Sequence, residues 1–96
     1  MLTLLLLGTS GCHLCEEAED IIATCSLEPD KVSIESLDIA EQEQYQADFA
    51  LYIPVLYHPD SSKRLNWPFN AEHVHEFIAQ IYYPYYLIVF SYNASP

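Results

Sequence analysis

Two cysteines, Cys12 and Cys15, are the residues of this chain whose type and spacing point most directly to chemistry. They follow an apolar run, Leu2 to Leu7, and a turn of small residues, and they precede a segment with helical periodicity. A strand, a turn and a helix in this order place both thiols at the start of the helix. The unpaired backbone N–H groups and the dipole at that end of a helix favour a thiolate over a thiol. The spacing therefore predicts a thiol–disulfide site.

The residues around the two thiols leave a metal site and an inert pair as alternatives to redox chemistry. A metal site needs further ligands, and the candidates are His13, Cys25, His73 and His75. Residues two apart on a helix point to different faces, so His73 and His75 are poorly placed to bind one ion together. We interpret these two as surface residues of a helix and predict no metal site. Cys25 continues the apolar face of the first helix and is interpreted as a small buried hydrophobic residue.

The composition describes one acidic domain. The chain has 96 residues, of which 51% are hydrophobic, and its fourteen acidic and three basic residues give a formal net charge of −11. A chain of this length forms a single domain. Binding to a phosphate backbone needs clustered Lys and Arg, so nucleic acid and anionic membranes are poor partners. The charge instead favours basic or neutral protein surfaces.

The cysteine count and the N-terminal segment bear on the cellular compartment. Three cysteines in so short a chain are not typical of a secreted disulfide framework. No Lys or Arg precedes Lys31, so the apolar run at the N-terminus lacks the basic region of a signal peptide. No segment approaches the ~20 apolar residues of a membrane helix. We therefore expect a cytoplasmic protein in a reducing compartment.

Hydrophobic periodicity predicts four strands and three helices. The predicted strands are residues 2–8, 32–39, 55–58 and 63–66, and the predicted helices are residues 12–24, 41–50 and 71 to 82 or 83. The first helix carries one apolar stripe, formed by Leu14, Ala18, Ile21, Ile22 and Cys25. The third helix has Asn70 as its predicted N-cap, and Pro84 is expected to end it.

The order of these elements predicts an α/β fold, β-α-β-α-β-β-α, with a four-stranded mixed sheet. A helical crossover joins parallel strands, and the late hairpin joins antiparallel ones. We place the domain at residues 1–83 and an apolar C-terminal tail at residues 84–96. The tail has high β-propensity and no charge, so an extra edge strand, a homodimer interface and a disordered end are the three roles considered for it.

The chain resembles the thioredoxin fold, and more narrowly the small glutaredoxin-like proteins of bacteria. Three motifs carry the resemblance, which runs over about residues 1–83. They are Gly-Cys-His-Leu-Cys at residues 11–15, Tyr-Ile-Pro-Val-Leu at 52–56 and Leu-Asn-Trp-Pro-Phe-Asn at 65–70. A Cys-x-x-Cys pair alone is a weak signal, whereas three motifs in this order and at these separations are more specific.

The resemblance implies a role for each matching residue. Cys12 corresponds to the exposed nucleophile and Cys15 to the resolving thiol. Pro54 corresponds to a cis-proline beside the disulfide, and the backbone of Ile53 to the segment that pairs with an extended substrate. His13 is expected to tune the thiol pair, because a protonated imidazole stabilises a nearby thiolate.

The segment before the last helix departs from true glutaredoxins. Those proteins carry Gly-Gly-x-Asp there, which holds glutathione, and a basic residue just ahead of the active site. This chain has Trp67-Pro68-Phe69-Asn70 in the matching segment, and its Thr9-Ser10 carries no charge. The usual glutathione motif is therefore absent. Glutathione is considered as a reductant only, and no cofactor is predicted. Trp67 is interpreted either as part of a substrate groove or as a plug at the edge of the core.

The sequence thus predicts a dithiol–disulfide oxidoreductase that acts on protein or small-molecule disulfides. Cys12 and Cys15 are its predicted catalytic residues, and Ile53, Pro54 and Trp67 shape its predicted substrate groove. The alternative, from a different class, is a binding or adaptor module in which the cysteine pair holds a metal or is inert.

Overall fold

The structure is a computed structural model, and it describes residues 2–82. Its elements are β1 (Leu2–Gly8), α1 (His13–Thr24), β2 (Val32–Asp38), a 3-10 helix (Ile39–Glu41), α2 (Glu43–Phe49), β3 (Val55–His58), β4 (Lys63–Asn66) and α3 (Ala71–Tyr82). This order and the mixed four-stranded sheet confirm the predicted fold class. The predicted tail at residues 84–96 lies outside the described residues. None of the helices described between residues 2 and 82 is long and apolar enough to cross a membrane.

The sheet is built outward from β1. Its strand order is β2-β1-β3-β4. β1 pairs in parallel with β2 along its whole length, from Leu2 opposite Val32 to Gly8 opposite Asp38. On its other side β1 pairs antiparallel with β3, and β3 forms a hairpin with β4. Because β1 and β2 run in the same direction, their carboxyl ends meet at one end of the sheet.

Alternating side chains of β1 supply the two cores of the domain. Leu4 and Leu6 pack with Ala18 of α1 and with residues of α3 on one face of the sheet. Leu7 packs with Phe49 of α2 on the opposite face. Both faces of β1 are therefore covered, which explains why its sequence is an almost continuous apolar run. Each fully buried leucine stabilises the fold by about 1.5–3 kcal/mol.

The apolar face of α1 differs from the prediction at its first turn. Leu14, predicted to lie in the buried stripe, is 44% exposed, whereas Cys15 and Ala18 are buried. In this turn Cys15, rather than Leu14, is the side chain that lies against Gly8 at the end of β1. Cys25, at the other end of the helix, was predicted to be buried; it packs against the core but is only half-buried.

The segment between β2 and β3 contains two short helices where one was predicted over residues 41–50. The carboxylate of Asp38 caps the 3-10 helix by accepting a hydrogen bond from the N–H of Ala40 at 2.9 Å. Gln42 then takes a non-helical backbone conformation, with φ −132° and ψ 85°. The chain therefore starts a helix two residues earlier than predicted, and α2 begins only at Glu43.

The N-terminus of α3 is capped as predicted. The side-chain oxygen of Asn70 accepts a hydrogen bond from the N–H of His73 at 2.9 Å. The Nδ1 atom of His73 in turn accepts one from the N–H of Asn70 at 3.1 Å. This reciprocal pair satisfies two backbone donors at the start of the helix. It also gives the His73 imidazole a structural role.

Candidate active site

Cys12 lies at the N-cap of α1, directly after the loop that follows β1. Its Sγ atom accepts a hydrogen bond from the backbone N–H of Cys15 at 3.2 Å, and its carbonyl oxygen accepts one from the N–H of Glu16. Gly11, the residue before it, has a φ of +75°, a backbone conformation that residues with a Cβ atom rarely adopt. The Cys12 side chain is half-buried. The partly accessible sulfur of Cys12 thus accepts a hydrogen bond from a backbone N–H of the first turn of α1, where N–H groups have no partner within the helix.

Cys15 is the buried member of the pair, with 7% of its surface exposed. Burial raises the pKa of its thiol to about 11, the Cys12 side chain adds to this rise, and a hydrogen bond from the backbone of Thr9 opposes it. Gly8 closes the space on the strand side, because a Cβ atom built there would lie 3.0 Å from the Sγ of Cys15. Cys15 is therefore a protonated, tightly packed thiol at neutral pH.

A cavity of about 340 Å³ opens beside the two thiols. It is formed where the ends of β1 and β2 meet the first two turns of α1. Its lining residues are Leu6, Gly8, Thr9, Ser10, Gly11, Cys12, Cys15, Glu16, Glu19, Ser36, Leu37 and Asp38. Three carboxylates, from Glu16, Glu19 and Asp38, are among them.

Two of these carboxylates are held in place by hydrogen bonds. Ser36 Oγ donates to Glu19 Oε1 at 3.2 Å, and Ser10 Oγ donates to Asp38 Oδ2 at 3.1 Å. The N–H of Ala40 holds the pKa of Asp38 below its usual range, and the hydroxyl of Ser10 contributes to the same shift. Asp38 therefore stays ionised at neutral pH and lines the cavity that contains the thiols.

Sequence reasoning missed Glu19 and Asp38 as members of the site. The signal for Asp38 was available, because it ends the strand predicted to lie parallel to β1. Residues at the carboxyl ends of parallel strands meet at one end of the sheet, and Gly8 and Asp38 are direct partners in the observed register. Glu19 lies one helical turn beyond Cys15 on the same side of α1, a spacing the sequence also shows.

His13 lies next to Cys12 but points into solvent. Its side chain is 83% exposed, and its Nδ1 atom lies 3.9 Å from Glu16 Oε2. The structure therefore pairs the imidazole with a carboxylate. The tuning of Cys12 by His13 stays a prediction.

Ile53 and Pro54 precede β3, and the peptide bond between them is cis. The last antiparallel pair between β1 and β3 at this end is Leu7 with Val55. Continued by one residue, this register places Pro54 opposite Gly8. Ile53 lines a second cavity, of about 400 Å³, and Thr9 lines both this cavity and the one beside the thiols. Thr9 thus connects the thiol pair to the predicted substrate segment.

Trp67, the third residue of the predicted groove, does not line the cavity beside the thiols. Its ring packs edge-on against that of Phe69, with 5.1 Å between the centroids, and it lies against the core formed with α3. The structure therefore shows a packing role for Trp67, and its contact with substrate stays a prediction.

Within residues 2–82, no group of three or more His, Cys, Asp or Glu side chains is arranged to hold a metal ion. The three cysteines are free thiols. Cys25 lies at the far end of α1, where its Sγ atom donates to the carbonyl of Ile21. Two of the three thiols are therefore brought together, and the third is kept apart from them.

A family model and a solved structure are similar to this chain. The family model described as Glutaredoxin-like domain (DUF836) matches residues 3–79. The X-ray structure of the structural-genomics target protein XcR50 from X. campestris is similar, with 27% sequence identity and a TM-score of 0.63. That similarity covers 78% of this chain and 93% of the other. A search of curated proteins gave no match. The matched model spans most of the chain and includes both thiols, and this chain therefore belongs to the family of glutaredoxin-like domains.

Proposed function

We propose that this protein is a dithiol–disulfide oxidoreductase that acts on disulfides of proteins or small molecules. The observation that carries the proposal is the asymmetry of the two thiols. The Cys12 sulfur is partly accessible and accepts a backbone N–H at a helix N-terminus, whereas Cys15 is buried with its pKa raised to about 11. Cys12 is thus suited to attack a substrate disulfide, and Cys15 is suited to resolve the mixed disulfide that results.

The first step is attack by the Cys12 thiolate on one sulfur of a substrate disulfide. A bond forms between Cys12 Sγ and that sulfur, the substrate S–S bond breaks, and the second substrate sulfur leaves as a thiolate with the bonding electrons. The N–H of Cys15 stabilises the Cys12 thiolate before attack, because hydrogen bonds to charged acceptors are stronger than those to neutral ones.

The second step releases the substrate. Cys15 attacks the Sγ atom of Cys12, a disulfide forms between them, and the remaining substrate sulfur leaves as a thiolate. Because its pKa is about 11, Cys15 must give up its proton as it attacks, and the departing thiolates can accept it. The substrate gains two electrons and the protein loses two. An external thiol reductant then restores the dithiol.

A redox titration tests this proposal directly. The protein is equilibrated across a series of reduced-to-oxidised glutathione ratios, its free thiols are alkylated, and its intact mass is measured. We expect two thiols to be lost together and reversibly while Cys25 stays free. A mass that does not change across the series would contradict the proposal. Stoichiometric metal in the purified protein would favour the adaptor hypothesis.

A trapping experiment tests the separate roles of the two thiols. Cys15→Ser is expected to accumulate mixed disulfides on Cys12, because the resolving thiol is missing. Cys12→Ser is expected to accumulate none, and Cys25→Ser, the matched control, is expected to behave as the wild type. Equal trapping by Cys15→Ser and Cys12→Ser would show that the assigned roles are wrong.

A further inference from the structure

The cavity beside the thiols is lined by three carboxylates and, among residues 2–82, by no Lys or Arg. The chain has three Lys and Arg residues in total, and none of them lines the cavity. Lys31 lies 3.2 Å from Glu28, in the turn before β2. Arg64 lies over the ring of Phe49 on the α2 side of the sheet, and Lys63 is in β4, at the edge opposite β2.

We propose that the substrate is a peptide or protein disulfide flanked by Lys or Arg, and that the cavity carboxylates select it over glutathione disulfide. The inference rests on the proposed function, since it concerns the substrate of the same two thiols. Glutathione disulfide has a net negative charge at neutral pH. It would approach three carboxylates, from Glu16, Glu19 and Asp38, with like charge.

The positions of the carboxylates support selection at the site. Glu19 and Asp38 are each oriented by a serine hydroxyl, from Ser36 and Ser10, and both line the cavity that contains the thiols. Their charges are therefore oriented within the cavity that contains the reacting sulfurs. Charged groups that line a cleft raise the local concentration of oppositely charged substrate.

The chemistry of the exchange strengthens the same preference. Each step expels a thiolate, and a thiolate that forms beside carboxylates is destabilised by their charge. A Lys or Arg next to the substrate cysteine offsets this repulsion and lowers the pKa of the leaving thiol, and a leaving thiol of lower pKa departs faster. Flanking cations thus favour both the encounter and the chemical step.

The test compares three disulfide peptides of equal length, flanked by Lys, by Gln or by Glu, together with glutathione disulfide. The reduced protein is mixed with each, and the rate of thiol loss is followed by alkylation and intact mass. We expect the Lys peptide to react roughly tenfold faster than the Glu peptide at low ionic strength. Added salt is expected to narrow this ratio, because it screens charges at the surface.

A pair of double variants locates the effect. Glu16→Gln with Glu19→Gln removes two charges from the cavity, whereas Glu17→Gln with Asp20→Asn removes two charges from α1 residues that do not line it. The ratio of Lys-peptide to Glu-peptide rates is expected to collapse in the first variant and to persist in the second. Because the readout is a ratio within one protein, a general loss of activity does not affect it.

The outcomes separate the two proposals. Equal rates for all four disulfides would overturn the substrate inference and leave the oxidoreductase proposal standing. An equal fall of the ratio in both double variants would show that net charge is responsible, and would overturn the role of the cavity. Failure of every disulfide to react, the neutral Gln peptide included, would overturn the proposed function itself.

Discussion

Gly8→Ala is expected to distort the candidate active site by pressing on Cys15. A Cβ atom at position 8 would lie 3.0 Å from the Sγ and 3.2 Å from the Cβ of Cys15, and both distances are shorter than ordinary van der Waals contact. Cys15 is held in a helix that packs on the sheet, so it can yield only by moving α1 or the end of β1. Forcing an extra methyl group into such a contact costs about 1–3 kcal/mol of folding free energy.

The expected net loss of folding free energy is smaller than the upper end of that range. Replacing glycine by alanine restricts the unfolded chain, which returns about 0.4–1 kcal/mol where the backbone tolerates a Cβ. We therefore expect Gly8→Ala to lower the free energy of unfolding by about 1–2 kcal/mol in urea titrations. The shifted Sγ should also lengthen the lifetime of the mixed disulfide, because Cys15 must reach the Sγ of Cys12 in a defined geometry to resolve it.

A double-mutant cycle with Cys15→Ala tests the cause. Cys15→Ala removes the sulfur that makes the closest contact, so the double variant should be more stable than the sum of the two single effects predicts. We expect a coupling of about 1 kcal/mol. Additivity within ~0.3 kcal/mol would refute the reasoning. Gly11→Ala is the matched control: it also destabilises, through its φ of +75°, but nothing lies within 4 Å of its Cβ position, so it should show no coupling to Cys15.

Three further predictions concern single groups. Since the fold raises the pKa of Cys15 from 9.0 to about 11, the contribution of its protonated thiol to stability is complete below pH 9 and is lost as the pH rises through 11. Urea midpoints of the wild type and of Cys15→Ala, measured across alkaline pH, test this loss. Parallel dependence of the two midpoints on pH would contradict it. Asn70→Ala removes the cap of α3 and should cost ~1 kcal/mol in urea unfolding, whereas Asn70→Asp should cost less. Ser61→Ala removes the hydroxyl that lies 2.6 Å from the Nδ1 atom of buried His58. It should lower the free energy of unfolding in urea by about 1–3 kcal/mol. An unchanged free energy would show that water replaces the hydroxyl.

The sheet could be predicted from the sequence because its strands carry strong local signals. The apolar run of β1 and the turn residues between β3 and β4 gave strand bounds that agree with the structure. The helix after β2 was predicted less well. Its start depends on the Asp38 carboxylate, which caps Ala40 while it accepts a hydrogen bond from Ser10, 28 residues away in the chain. Periodicity within the segment does not record that contact.

The thiol pair could be predicted for a similar reason, since both cysteines lie in one short motif. The charge of the cavity could not be inferred from that motif alone, because Asp38 and Ser36 come from a different strand. The exposure of Leu14 was also missed, since helical periodicity does not show which side chain of the first turn lies against the end of β1. The packing of Trp67 against Phe69 depends on tertiary contacts in the same way.

The parallel pairing of β1 and β2 has a consequence for how such a protein can diversify. Every residue that lines the cavity beside the thiols lies between Leu6 and Asp38, whereas the segment with Ile53 and Pro54 belongs to the later part of the chain. The reacting groups and the predicted partner-binding segment are thus encoded in separate stretches that meet at Thr9. Substitutions after Asp38 can therefore change the surface around Ile53 without replacing any residue that lines the cavity beside the thiols.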